Sequence, residues 1–232
     1  MYFLIDHNKK VIFGWSAKCG CSHIKKIFRY LQSNVISTKI HQNDWNELPS
    51  NIEDYTVILI IRNPFERLVS GFLDKYKRDG EFRFRWKRDN IIFSDFVHEL
   101  LRNKWRRIEK HHFTPQTSEG FNEEKLLSCK NLKLYDLSNI DYTFIETVYG
   151  KKIPEELITF RGNHTYKPSK PLYDGDVYDL DMDVYINHIV PIQSYYNEEI
   201  KNKVLSYFRN DFTFFKNNGF DYDLLFEPDK MC

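Results

Sequence analysis

Two stretches of this 232-residue sequence carry residues whose types and spacing suit phosphate-like anions. The first is Ser16-Ala17-Lys18-Cys19-Gly20-Cys21-Ser22, a run of small residues around one lysine. Small side chains let a backbone come close to a phosphate, Lys18 supplies a mobile cation, and Ser22 supplies a hydroxyl. A loop that leads from a strand into a helix also presents unpaired N–H groups and the positive end of the helix dipole. The loop is not a Walker A motif, which needs Gly before its Lys and Ser or Thr after it; here Cys19-Gly20 follow Lys18. Taken alone it is also readable as a small-residue turn with an exposed lysine. The second stretch has Arg62 after TVILII and Ser70 eight positions on, about 2.2 turns if all were helical. Those two could converge on one anion. A third set is His41, His111 and His112, whose imidazoles, titrating near pH 6.5 when unperturbed, can accept a proton at neutral pH.

Local patterns say which elements carry these residues. YFLID and KVIFGW, separated by HNK, predict two short strands joined by a tight turn. Ile24, Ile27, Phe28 and Leu31 recur at helical spacing after the lysine loop, with Ser22 as the expected N-cap. Thr56 to Ile61 is β-branched and apolar on both faces, as in a central parallel strand covered on both sides. Asn63-Pro64 ends it, and Phe65, Leu68, Val69, Phe72, Leu73 and Tyr76 mark one face of the next helix. Two strand–turn–helix units predict an α/β, P-loop-like three-layer fold, with a central, mostly parallel sheet flanked by helices. Arg62 and the loop then lie at the carboxyl edge of that sheet, where such folds bind ligands.

Further along, Asn34–Ile40 reads as a strand, SDFVHELLRNKW as a helix capped by Ser94, and LKLY (132–135) and YTFI (142–145) as later strands. Ile192 to Phe215 has the alternation of a surface helix. Residues 173–183 hold five Asp and no base, and lack the Gly and terminal Glu of an EF-hand; they predict an acidic surface loop. No linker divides the chain, so one domain, 1–232, is expected.

Hydrophobic residues at 41% and charged residues at 29% describe a globular chain, not a disordered one. Thirty-four Lys+Arg against thirty-three Asp+Glu leave a net charge of +1, which disfavours non-specific nucleic-acid binding. The longest apolar run, VILII, falls far short of the roughly 20 residues of a membrane helix, so no integral membrane segment is expected. The first ten residues lack a signal-peptide core, and four cysteines are too few and too uneven for a disulfide framework. A cytoplasmic chain with reduced thiols is the expectation, with peripheral membrane association allowed. Cys19 and Cys21 lack a second ligand cluster, so no metal site is expected. The sixteen per cent of aromatic residues reads first as a core built with rings.

KCGCSHIKKIF resembles the 5′-phosphosulfate loop of the Golgi-type carbohydrate sulfotransferases, the chondroitin and heparan 2-O types among them. IIRNPFERLVSGFLDKY resembles their 3′-phosphate strand and helix, with Arg62, Pro64, Arg67, Leu68 and Ser70 in the family's order. HHFTPQT (111–117), GNHTYKP (162–168) and YFRNDFTFF (207–215) are weaker similarities. The sequence departs from the family in having Ala17 where Pro usually precedes the lysine, and in showing no anchor or stem. The resemblance implies 3′-phosphoadenosine 5′-phosphosulfate (PAPS) as donor and adenosine 3′,5′-bisphosphate (PAP) as product, with no metal required. Lys18, Cys19, Gly20, Cys21 and Ser22 would hold the phosphosulfate, with His23 nearby. Arg62 and Ser70 would hold the 3′-phosphate, and Thr165 and Lys167 would belong to a lid.

Sulfuryl transfer needs a base for the acceptor proton and a cation at the leaving oxygen. Lys18 fits the second role. His41, in the interval where relatives carry a histidine base, fits the first; His111, His112, Asp44 and Glu47 are alternatives. Between Lys75 and Lys110 there are twelve Lys/Arg and six Asp/Glu. Arg83, Arg85, Lys87, Arg88, Arg106 and Arg107 in that stretch, with His111 and His112, form either a groove for an anionic glycan or a solvated face. The expected acceptor is a carbohydrate or other hydroxyl compound. A P-loop kinase-like enzyme and a non-catalytic nucleotide- or glycan-binding relative are the alternatives; Arg62 where a Walker B acid would stand counts against the kinase.

Overall fold

The computed structural model describes residues 1–34, 36, 47–77, 79–86, 88–118, 120–160 and 170–222. They gather into two compact units, Met1–Arg62 with Gln116–Tyr166, and Asn63–Pro115 with Lys167–Cys232.

The first unit is built on the predicted hairpin. Strands β1 (Tyr2–Asp6) and β2 (Val11–Trp15) pair antiparallel, Tyr2 opposite Trp15 and Asp6 opposite Val11. Asp6 Oδ1 accepts from the N–H groups of Asn8 and Lys9, which tightens the turn. Helix α1 (Cys21–Ser33) follows, and β3 (Thr56–Ile61) then lies parallel to β2, with Val11 opposite Thr56. Helix α2 (Pro64–Tyr76), α3 (Phe93–Leu101), α4 (Lys110–Phe113) and α5 (Glu123–Leu127) come next in the chain. Strand β4 (Asn131–Asp136) completes the sheet, parallel to β3, with Ile61 opposite Asp136. The order β1-β2-β3-β4 is mixed and mostly parallel. Helices α6 (Tyr142–Tyr149) and α7 (Glu155–Ile158) end the unit.

All six residues of β3 are buried, as a strand apolar on both faces requires. Ile58 and Ile60 of β3 join Val11 and Phe13 of β2 and the apolar stripe of α1, Ile24, Ile27, Phe28 and Leu31. Ile145 and Tyr149 of α6 and Leu157 of α7 close that cluster, so helices flank the sheet in this α/β unit.

The second unit has its own core. Asn63 Oδ1 accepts from the N–H of Phe65, Pro64 takes the first helical position, and α2 buries Phe65, Leu68, Val69, Phe72 and Tyr76 as its spacing predicts. These meet Phe93, Phe96, Val97 and Leu100 of α3 and Phe113 of α4. Helix α8 (Met182–Tyr185), α9 (Glu198–Tyr207) and α10 (Arg209–Asn217) finish the described chain; Met182, Ile200 and Val204 belong to the same cluster. Among the described residues no helix is long and apolar enough to cross a membrane, and no group of three or more His, Cys, Asp or Glu could hold a metal ion.

Several expectations are corrected. YTFI (142–145) is not a strand but the first half of α6. Its Tyr, Thr, Phe and Ile favour strands, yet Asp141 caps the N-terminus by accepting from Phe144 N–H, and Gly150 at φ 65° closes the other end. Ile145 and Tyr149, four apart, then share the buried face. Ser22 does not cap α1, which starts one residue earlier behind Gly20. Ser94 does not cap α3; the helix begins at Phe93 behind Ile92, and Ser94 Oγ donates to Asp179 at 2.6 Å. The 192–215 stretch is broken into α9 and α10 at Phe208, which is buried. Asn34 is the left-handed C-cap of α1, and most of the expected strand Asn34–Ile40 lies outside the described residues. The acidic stretch is partly structural, since Asp181 caps α8 and Asp183 pairs with Arg83 at 3.3 Å.

Candidate anion site

The carboxyl ends of β2 and β3 lie side by side because the two strands are parallel. From Trp15 the chain enters the loop through buried Ser16, and Cys19 N–H closes a turn on the Ser16 carbonyl at 3.1 Å. Lys18 at φ 66° and Gly20 at φ 70° are both left-handed, and two such residues bend the chain into α1 within a few positions. Gly20 has no side chain to cap α1, and no acidic residue stands in the helix's first turn. The first N–H groups of a helix lack partners inside it, so this end combines backbone donors with the positive end of the dipole.

Gly20 is demanded twice, since a Cβ there would lie 2.4 Å from Leu137 Cδ1 as well as meet the left-handed penalty. Gly20→Ala is therefore expected to cost about 1–2 kcal/mol in backbone strain, with Leu137 displaced besides. Urea unfolding reads this directly; a midpoint equal to wild type would contradict it.

Arg62 follows the last ladder residue of β3. Beyond that ladder, a side chain continues the pairing. Gln116, fully buried, accepts from Arg62 N–H at 3.1 Å and donates to the Arg62 carbonyl at 2.8 Å. The same Oε1 accepts from Cys19 Sγ at 3.0 Å. The Arg62 guanidinium in turn donates through Nη1 to the Lys18 carbonyl at 3.2 Å. Loop and strand end are thus joined at two points. Lys18, Cys19, Gly20, Cys21, Ser22 and Arg62 all belong to this edge of the first unit. His23 is buried in α1; its Nε2 is 2.7 Å from the Tyr142 hydroxyl, and its ring stacks on Phe160.

Ser70 is on α2 and half-buried, in the second unit. Arg83 pairs with Asp183, Arg88 with Asp95 and Arg107 with Glu99, while the Arg85 guanidinium lies over the Phe82 ring at 4.6 Å. Of the basic residues singled out in the 75–110 stretch, Arg83, Arg88 and Arg107 are therefore engaged by carboxylates. Arg106 and Arg107 line an open cavity of about 500 Å³ with Glu99, Asn103, Lys104 and Trp105. Glu47 is exposed. His41, Asp44, Lys87, Thr165 and Lys167 lie outside the described residues.

His111 and His112 sit on α4, whose N-terminus Glu109 caps by accepting both of their backbone N–H groups. His112 Nδ1 is 2.5 Å from Glu109 Oε2. Tyr76 holds the same turn: its hydroxyl donates to the Arg107 carbonyl and accepts from Glu109 N–H, and burial raises its pKa to about 12. Burial pushes the Glu109 carboxyl up, but the His112 ring and the two capping N–H groups outweigh it and hold the pKa at about 2, below the ordinary 4.5. A carboxyl whose folded pKa is depressed contributes stability fully present above its unfolded pKa and lost as pH falls through the folded one. Wild type should lose this contribution between pH 4.5 and about 2, whereas Glu109→Gln should show a smaller fall in stability over that window. Equal acid slopes in the two proteins would contradict it.

Gln116 carries no chemistry that its sequence neighbours would announce. A buried amide leaves no local signature, and its place in HHFTPQT is the single pointer to it.

Residues 1–148 match the model of the Sulfotransferase family. The chain is 26% identical over 127 residues to carbohydrate sulfotransferase 10 of Danio rerio, covering 47% of this chain and 32% of that protein. It is 27% identical over 93 residues to carbohydrate sulfotransferase 8 of Mus musculus, covering 34% of this chain and 22% of that one. The matches span a third or less of those curated relatives. No solved structure matches. The matched 148 residues contain the hairpin, the lysine loop, the Arg62 strand and Gln116, and on that span this chain belongs to the sulfotransferase family.

Proposed function

We propose that the protein transfers a sulfuryl group from PAPS to a hydroxyl of a carbohydrate. The observation that carries the reading is the junction of the Lys18 loop with Arg62 at the carboxyl edge of β2 and β3, beside the start of α1. When bound, the donor supplies an activated sulfuryl group whose departure leaves negative charge on a phosphate oxygen. Lys18 and the first N–H groups of α1 hold and neutralise that phosphate; Arg62 takes the 3′-phosphate as a planar fork. Family membership and the names of both relatives support sulfotransfer and a sugar acceptor. The cavity at Trp105 offers a ring for a sugar face and cationic side chains for an acidic substituent.

A histidine takes the acceptor proton in this reading. His41 holds that place by resemblance, and His112 is the rival because Glu109 fixes its ring. Turnover of His41→Ala against His112→Ala separates them.

Thermal shift with PAP, compared with ATP and magnesium, tests the donor. At 100 times its dissociation constant a single-site ligand adds about 2.7 kcal/mol, a rise of roughly 5–10 °C for a chain of this size. Stabilisation by PAP without magnesium is expected. Stabilisation by ATP and magnesium alone would indicate a kinase-like enzyme and sink the reading. PAP binding without sulfuryl transfer to any hydroxyl acceptor would indicate a non-catalytic relative.

A further inference from the structure

We infer that Gln116 is a positioning residue, setting the placement of the Lys18 loop against Arg62; this rests on the donor reading above. It lies 97 positions from Cys19 and 54 from Arg62, yet bonds to both. An amide is the neutral side chain that carries an acceptor and a donor on one rigid plane. Both ends are used on Arg62, Oε1 on its N–H and Nε2 on its carbonyl, as a neighbouring strand would use them. The Ile61 carbonyl takes the Leu137 N–H on the β4 side, so the groups of Arg62, one residue on, face the β2 side, where the ladder ends at the pair Gly14 and Leu59; Gln116 continues the pairing there. Oε1 then reaches across to the Cys19 thiol, and Arg62 Nη1 reaches the Lys18 carbonyl. Arg62, Gln116, Cys19 and Lys18 form a closed circuit of hydrogen bonds and chain.

Burial makes the circuit specific. Gln116 is 0% exposed, so no solvent replaces a lost bond. Met at 116 keeps the length and loses every bond. Glu keeps the two accepted bonds, loses the donated one, and brings a negative charge to an edge proposed to bind anions. Neither change removes a group that would touch the donor. For Met, which adds no charge, the effect must pass through Cys19 and Arg62.

Two readouts on the full chain test this. Site-resolved mass spectrometry of the 19–25 peptide gives the rate of Cys19 alkylation by iodoacetamide without nucleotide. Calorimetry gives the dissociation constant for PAP. Asp141→Ala, which removes the N-cap of α6, is the control for a general loss of stability. Gln116→Met should raise the Cys19 rate and the PAP dissociation constant by at least about tenfold, and Asp141→Ala neither. Should the Met variant not accumulate folded, Gln116→Glu gives the alkylation comparison, with a smaller rise, and Gln116→Leu, which loses every bond and adds no charge, gives the PAP comparison.

Cys19 alkylation no faster than in Asp141→Ala overturns the clamp. Faster alkylation with an unchanged PAP constant overturns the positioning role. Wild-type protein that fails to bind PAP overturns the donor reading instead, and the alkylation rates still decide whether Gln116 holds the loop.

Discussion

Lys18→Ala should lower turnover by about 100- to 1,000-fold while changing the PAP dissociation constant much less, because removing one preorganised charge-stabilising donor costs of that order. The lysine stands at φ 66° in a loop whose turn closes on Ser16 and whose carbonyl is taken by Arg62, so its backbone is held from both sides. An ammonium mounted on a fixed backbone needs little reorganisation when charge develops on the leaving phosphate oxygen. In the proposed reading part of the binding energy for the product comes from the α1 N-terminus and from Arg62, which the substitution leaves in place, hence the larger effect expected on rate. Lys18→Arg keeps the charge but replaces a compact ammonium by a planar fork, and should recover binding more than turnover. Steady-state rates with labelled PAPS against a panel of glycans supply the measurement. Normal turnover in Lys18→Ala removes this residue from the chemistry.

Arg62→Ala should weaken PAP binding by roughly 10- to 100-fold, the loss expected for one or two charge-assisted hydrogen bonds. The guanidinium is half-buried and gives one N–H to the Lys18 carbonyl; in the proposed reading its planar fork also takes the 3′-phosphate. In that reading its removal acts twice, by deleting the contact to the 3′-phosphate and by freeing the lysine loop. Arg62→Lys separates these effects: it retains the charge without the fork, and should bind PAP with intermediate affinity. Adenosine 5′-phosphate, which lacks the 3′-phosphate, should be insensitive to the deleted contact and sensitive only to the loosened loop. Wild-type PAP affinity in Arg62→Ala would leave Arg62 as a structural tie and nothing more.

The basic stretch shows why charge runs are poor guides to sites. Arg83, Arg88 and Arg107 find Asp183, Asp95 and Glu99, whose positions lie 100, 7 and 8 residues away in the sequence. Pairing over 100 residues is invisible until the chain is folded. The Glu109–His112 contact is short in sequence yet equally invisible there, because nothing in EKHHF distinguishes a capping glutamate from a solvated one. Tyr76, from the far end of α2, is what fixes that turn.

By itself, the sequence determined the elements whose causes are local. TVILII had to be a buried strand, because it is apolar on both faces. Asn63-Pro64 had to start a helix, because a capping amide and a preset φ act within two residues. The hairpin, the passage from strand to loop to α1, and the placing of Lys18 and Arg62 at strand ends followed from the same short-range rules. Tertiary structure alone decided the rest. YTFI became helical because burial of Ile145 and Tyr149 on one face, with caps at both ends, outweighed strand propensity. Gly20 stands as cap in place of Ser22, because the chain turns into α1 through left-handed residues at Lys18 and Gly20. The bonds that tie Cys19 to Gln116, Arg62 to Gln116 and Arg62 to Lys18 span 97, 54 and 44 positions, and a hydrogen bond acts over about 3 Å whatever the distance along the chain.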